Sequence, residues 1–283
     1  MDATLATTII EAHFPELAPA SVEYLGEGFD SCAFEVNDTW VFRFAKREDV
    51  AEQLRIEARL LPELAPHLPL SVPLFSFHGR SFVGYRKLTG TPAIGLADLP
   101  LLPLAPPLGR FLRALHSFPV DDALRLGVPQ RPIDTYLDEL REEALEDFEL
   151  VREVAPDAPL DRWYAYLRAG VGLDASARQV LTHHDLAAEH VLVHAGTLTG
   201  VIDWSDVAVS DRAADFAGVF HWGGDRFVDA VLAAYGDAVD GQELARARFM
   251  AAYRGVADVK FGRETGRPEY VQAGIRALSF VVP

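Results

Sequence analysis

The sequence predicts an α+β fold of two lobes, an antiparallel-sheet N-lobe over residues 1–88 and a mainly helical C-lobe over residues 89–283. Three observations carry this expectation. The chain has 283 residues, room for roughly two packing units at about 150 residues each. Alternating apolar runs separated by turn residues crowd into the first 88 positions. Beyond a Pro-, Gly- and Leu-rich stretch at Gly90–Pro107, read as the hinge and lobe boundary, the apolar spacing turns helical.

Taken in order, Leu5–His13 is a short amphipathic helix closed by Pro15. Val22–Leu25, Ala33–Val36 and Trp40–Phe44 follow as strands, with turn signals at Gly26–Gly28 and Asn37–Asp38. Glu48–Leu64 places Val50, Leu54, Leu60, Leu61 and Leu64 at helical spacing and stops before Pro66. Phe75–Phe77 and Ser81–Lys87 form a hairpin split at His78–Gly79. In the second lobe, helices are expected at Leu108–Ser117, Pro132–Val154, Leu160–Leu173, Asp225–Tyr235, Gln242–Phe261 and Pro268–Phe280. One patch alone interrupts them, a β-hairpin of Val191–Val193 and Leu198–Ile202 around Ala195–Gly196.

Composition excludes several classes. Apolar residues make up 49% and charged residues 24%, the balance of a soluble globular protein and not of a disordered, collagenous or coiled-coil chain. No apolar run is long enough for a membrane helix, and Met1–Thr4 lacks the basic start of a signal peptide. Cys32 is the only cysteine, so no intrachain disulfide or thiolate metal site can form; it reads as a small strand residue. A cytoplasmic protein without membrane partners is expected. The net charge of −16 argues against nucleic acid as a partner, because a polyanion needs a basic footprint. It suits a small cationic substrate, and it equally suits solubility alone.

The chemistry concentrates in Leu181–Val193, where Asp185 lies two residues after His183 and His190 five after Asp185. Across the hairpin, Gly200–Trp204 presents Asp203 at a strand end. Phosphoryl transfer needs one carboxylate near the attacking hydroxyl and another for the metal held against the phosphates. A loop followed by a hairpin returns two such groups to one place. Either motif alone occurs by chance; the pair at this spacing is the informative signal.

On these residues the chain resembles the aminoglycoside phosphotransferase family, small-molecule kinases with a two-lobed, protein-kinase-like fold. His183-His184-Asp185-Leu186 is similar to that family's His-Gly-Asp-Leu loop, Gly200–Trp204 to its metal-binding strand, and Asp211–Phe216 to the Asp-Pro-x-x-Asp-Leu run that follows. Leu112–Phe118 resembles the helix before the catalytic region, and Gly28–Val36 with Trp40–Ala45 the phosphate loop and third strand. The resemblance implies Asp185 as catalytic base and Asp203 as a ligand of Mg²⁺, with ATP or GTP as phosphate donor. His190 falls at a second metal position. Magnesium prefers oxygen, although the 2''-aminoglycoside and macrolide branches share a His there; the alternative is a hydrogen-bonding His that orients the loop. His184, where the family has Gly, reads as a local packing variant. Asp206, Asp211 and Asp215 are expected to brace the metal loop.

The resemblance also places the nucleotide. Gly28 and Ser31 belong to a phosphate loop, though a plain hairpin turn explains Gly26–Gly28 equally well. Arg43 stands where such kinases have the Lys that grips the α/β-phosphates, with Glu57 as its ion-pair partner, while Lys46 is expected in solvent. Tyr85, Arg86 and Leu88 lie in the hinge whose backbone binds the purine. The acceptor is a small hydroxylated molecule, an aminoglycoside or a macrolide. Asp258, Glu264 and Glu269 offer carboxylates to the first, and Val256, Val259, Phe261 and Tyr270 an apolar wall to the second. His221–Trp222 and Trp163–Tyr164 read as helix packing. Asp211 follows Asp203 by only eight positions, too few for a phosphorylatable activation loop, which disfavours a regulated protein kinase. A non-catalytic nucleotide-binding relative is the remaining reading.

Overall fold

A computed structural model describes residues 1–96, 99–133, 136–172 and 178–283. Helix α1 (Ala3–His13) precedes strands β1 (Val22–Glu27), β2 (Ser31–Val36) and β3 (Trp40–Ala45), helix α2 (Glu48–Leu64), and strands β4 (Phe75–His78) and β5 (Phe82–Arg86). The strands make one antiparallel sheet in the order β1-β2-β3-β5-β4. Register explains its two faces. Phe34 lies opposite Phe42 and Cys32 opposite Phe44, and all four are buried with Ala6 and Ile10 of α1. Burying each such aromatic ring stabilises the fold by roughly 1.5–3 kcal/mol. Side chains alternate along a strand, so Ala33 and Arg43, which face each other across β2 and β3, point to the opposite side and line a cleft.

The remainder contains β6 (Thr91–Pro92), α3 (Ala105–His116), α4 (Val120–Arg125), α5 (Leu137–Val154), α6 (Leu160–Ala169) and β7 (Gln179–Thr182). After these come β8 (Val191–His194), β9 (Thr197–Val201), β10 (Ala208–Asp211), α7 (Ala213–Tyr235), α8 (Gly241–Thr265) and α9 (Pro268–Val281). Their main core also takes in Leu60, Leu61 and Leu64 of α2, so α2 fastens the sheet to the helices. No helix among the described residues is long and apolar enough to cross a membrane.

Several expectations change. The β8–β9 hairpin is joined by β6, which pairs with β8, so the Pro-rich stretch begins as part of the second lobe's sheet and not as a free linker. Helix α3 starts at Ala105 because Pro106 and Pro107 fit its first turn, where no N–H bond is lost. A second small sheet, β7 with β10, also breaks the helical run; two buried four-residue strands are too short to show a period. Helix α5 begins at Leu137, since Arg131 instead donates its backbone N–H to the Val209 carbonyl of β10; residues 134 and 135 of the expected helix lie outside the described ones. Helix α6 ends at Ala169, where Gly170 turns left-handed with φ +65°, and the expected end at Leu173 lies outside the described residues. Helix α7 starts twelve residues earlier than expected and is broken at Gly224 (φ +62°). Its first half, Ala213–His221, is buried on every side and so has no amphipathic signature.

These elements set up the site. Strand β7 delivers residues 183–190, β9 delivers Asp203, and α7 lies directly beneath the first of these loops. The approach is so close that a Cβ added at Gly218 would stand 1.5 Å from the Leu186 carbonyl oxygen.

Candidate active site

The loop between β7 and β8 is held from below by Asp215. Its carboxylate accepts the backbone N–H groups of His183 at 3.0 Å and His184 at 2.8 Å, and meets His116 of α3 at 3.0 Å. Burial opposes this charge, yet the His116 bond and the neighbouring donors bring its pKa down. His184 takes φ +69°, a backbone region that favours glycine, which accounts for Gly at this point in the matching motif. Its ring packs edge-on against Tyr136 at 5.6 Å, and burial lowers its pKa to about 4. The buried His183 donates from Nε2 to the Ile202 carbonyl at 3.1 Å, tying the loop to the end of β9.

Asp185 projects from this loop into the cleft with its side chain one-third exposed. Arg254 of α8 meets its Oδ1 at 2.7 Å and Glu189 at 2.9 Å. His190 donates from Nδ1 to the Asp185 carbonyl at 2.8 Å, while its Nε2 stands 3.7 Å from Asp203 Oδ2. Burial works against an imidazolium here, but Asp185, Asp203 and Glu189 raise the His190 pKa. Asp203 itself has φ +61°, a strained value for a side-chain-bearing residue. It accepts from Arg43 Nη2 and from Ser205 Oγ, both at 2.9 Å. Although burial opposes its charge, Arg43 and His190 hold its carboxyl far below the usual carboxylate range.

Arg43 bridges two carboxylates, reaching Glu57 at 2.9 Å through Nη1 as well as Asp203 through Nη2. Glu57 is fully buried behind it and does not itself line the cleft. Burial disfavours the Arg43 charge, and Glu57 and Asp203 more than restore it. Lys46 is exposed, as expected, and its Nζ also stands 2.8 Å from the Gly28 carbonyl of the β1–β2 loop and 3.0 Å from Glu27 at the end of β1. Gly28 and Ser31 both face the cleft, but the Gly28 N–H is spent on the Ser31 carbonyl at 3.1 Å, so this loop presents fewer free donors than expected. Tyr85 lines the cleft; Arg86 and Leu88 do not. The Arg86 side chain is exposed at the end of β5, Leu88 lies beside Gly200, and the Lys87 N–H is taken by the Thr39 carbonyl.

The cleft has a volume of about 920 Å³. Among the described residues that line it, eight carboxylates face four arginines. Helix α8 forms one wall through Met250, Tyr253, Arg254, Ala257, Asp258 and Phe261, residues at i, i+3, i+4, i+7, i+8 and i+11 on one helical face. Of these the sequence reading named only Asp258 and Phe261. His221 is buried in α7 as the packing reading expected, with its Nε2 3.0 Å from Asp258 Oδ2. Glu264 and Glu269 stay outside, the latter paired with Arg267 at 3.0 Å, and Val256 and Val259 are buried in the core. Phe29 reaches from the β1–β2 loop to Phe261 (centroids 5.3 Å apart), which packs on Tyr270 at 4.7 Å.

The expected bracing of the metal loop divides among three roles. Asp215 braces the Asp185 loop. Asp211 instead joins α7 to α8, accepting the Ala213 N–H and pairing with Arg246 at 2.7 Å. Asp206 faces the cleft and meets Arg131 at 3.3 Å. Among the described residues no three His, Cys, Asp or Glu side chains are grouped to hold a metal. Magnesium, however, keeps several waters and takes one or two carboxylates plus phosphate oxygens. Asp203, with its side chain 40% exposed, fits that modest demand. His190 offers a nitrogen beside it, a poorer match for a hard cation.

Comparison with known proteins agrees with this geometry. The family model described as "Phosphotransferase enzyme family" matches residues 21–250. The uncharacterized protein YcbJ of Bacillus subtilis (strain 168) is 27% identical over 87% of this chain and 85% of its own length. The GDP and kanamycin complex of APH(2")-IIia superposes with a TM-score of 0.76 at 31% identity, covering 98% of each chain. A macrolide 2'-phosphotransferase type I does so with a TM-score of 0.63 at 26% identity, over 98% of this chain and 99% of its own. A match running through both lobes, with the paired carboxylates at the cleft between them, makes this chain a kinase belonging to the phosphotransferase enzyme family.

Proposed function

We propose that the protein moves the γ-phosphate of ATP or GTP to a hydroxyl of a small cationic antibiotic, an aminoglycoside. The acidic lining of the cleft carries this reading: carboxylates outnumber arginines two to one among the described lining residues, which favours the approach of a polycation. The likeness to a relative solved with GDP and kanamycin supports it. In this reading the nucleotide lies between the first lobe, up to residue 88, and the helical lobe from residue 89.

The acceptor oxygen attacks the γ-phosphorus in line as the bond to the β–γ bridging oxygen breaks, and the hydroxyl proton passes to Asp185. Arg43, held by Glu57, balances the phosphate charge. Asp203, with His190 alongside, would hold the magnesium that neutralises charge on the phosphate oxygens when it is bound. Asp215 keeps the Asp185 loop in its left-handed turn, so the base needs little reorganisation during the reaction.

A coupled nucleotide-turnover assay with ATP and with GTP, over a panel of aminoglycosides and macrolides, tests the acceptor. Turnover with aminoglycosides is expected. Turnover with macrolides alone would overturn the aminoglycoside assignment and give the aromatic wall of Phe29, Phe261 and Tyr270 the leading role. Silence across the panel would overturn the antibiotic reading as a whole.

The Arg43 grip makes a separate expectation. Losing a charge-assisted hydrogen bond costs about 1.5–3 kcal/mol, so Arg43→Ala should lower kcat/KM for nucleotide by roughly 10- to 100-fold. The KM for acceptor should hardly move. Lys46→Ala should cost less, because Lys46 is committed to the Gly28 carbonyl and Glu27. Arg43→Lys should retain part of the activity, keeping charge but losing the fork that spans Glu57 and Asp203. A larger loss in Lys46→Ala would transfer the grip to Lys46.

A further inference from the structure

Arg254 comes from the acceptor-side wall, yet its guanidinium reaches across to the loop that bears Asp185. One nitrogen meets Asp185 Oδ1 at 2.7 Å and the other Glu189 Oε1 at 2.9 Å, so one fork ties two points of the loop to α8. The helix is itself anchored to α5, by Tyr253–Glu143 at 2.8 Å and Lys260–Asp147 at 2.9 Å. Asp185 has two equivalent oxygens and a soft terminal torsion. With Oδ1 committed to Arg254, Oδ2 remains, 3.4 Å from His190 Nδ1, whose hydrogen already goes to the Asp185 carbonyl. Oδ2 is therefore the oxygen free to take a proton.

We propose that Arg254 is a positioning residue for the transfer: it fixes the Asp185 carboxylate so that Oδ2 alone meets the acceptor hydroxyl. This rests on Asp185 being the base. It also gives α8 two coupled tasks, since the helix that walls the acceptor pocket aligns the group that deprotonates the acceptor. Misplacing a reacting group by about 1 Å can cost 10²-fold in rate, and a Lys cannot span Asp185 and Glu189 as the planar fork does.

The test measures kcat, acceptor KM and nucleotide Kd for Arg254→Gln, Arg254→Lys, Asp185→Asn and the double variant Arg254→Gln/Asp185→Asn. Arg254→Gln should lose roughly 10- to 100-fold in kcat with nucleotide Kd unchanged, which also reports a folded protein. Arg254→Lys should recover part of that loss. Because Arg254 acts through Asp185, Arg254→Gln should cost little further on the Asp185→Asn background. The positioning role is overturned if Arg254→Gln keeps or raises kcat, if its effect lies wholly in acceptor KM, or if the two losses multiply. If instead Asp185→Asn turns over at the parental rate, the base assignment fails, whatever Arg254 does.

Discussion

Asp185→Asn is expected to lower kcat by roughly 10²-fold or more, the scale of losing a general base, while nucleotide affinity stays near that of the parent protein. The substitution keeps the shape of the side chain and leaves Arg254 paired with Glu189, so no buried charge is stranded. The backbone of the loop should hold as well, because it hangs on Asp215 through the N–H groups of His183 and His184. Neither bond involves the Asp185 side chain. The predicted signature is therefore a fall in kcat with unchanged nucleotide Kd and unchanged melting temperature. A variant that turns over normally would remove Asp185 from the chemistry. A variant that loses nucleotide affinity in parallel would make it a binding group.

What could be read in advance follows physical range. Asp185 and Asp203 were legible because the β8–β9 hairpin between them is local in sequence, so its turn and alternation are enough to bring the two ends together. The inward side of Arg43 was legible from its place between Phe42 and Phe44, since period-2 alternation fixes the face once the apolar one is known. Arg254 was not. Its partners lie on another element, and the only local hint is a charged pair, Arg254 and Asp258, inside the stripe that Met250, Tyr253, Ala257 and Phe261 draw along α8. The start of α7 was lost for the opposite reason: Ala213–His221 is buried all round, and periodicity needs a solvated face. The anchoring of Lys46 depends on how the β1–β2 loop folds back over β3, a tertiary contact that composition does not reveal. The part assigned to the hinge backbone likewise depends on hydrogen bonds, which composition does not reveal; the Lys87 N–H there goes to the Thr39 carbonyl.

Asp203→Asn should abolish most magnesium-dependent turnover while nucleotide still binds. The charge of Asp203 has close local support: Arg43 and Ser205 each at 2.9 Å, His190 at 3.7 Å. An amide removes one negative charge from a position that a hard cation reads through carboxylate oxygen. Stabilising charge on a transferring phosphoryl group is worth several kcal/mol, so the loss in kcat should reach about 10²-fold or more. The magnesium concentration for half-maximal activity should rise as well, which separates a metal ligand from a residue that merely orients Arg43. Arg43 keeps Glu57 in the variant, and the first lobe's core of Phe34, Phe42 and Phe44 is untouched, so the nucleotide site should remain formed. Titrating magnesium against turnover, with nucleotide Kd measured alongside, checks both halves. A variant whose kcat falls with an unchanged magnesium midpoint would leave Asp203 as the partner that holds Arg43 in line, and the metal would then have to be sought at another carboxylate of the cleft.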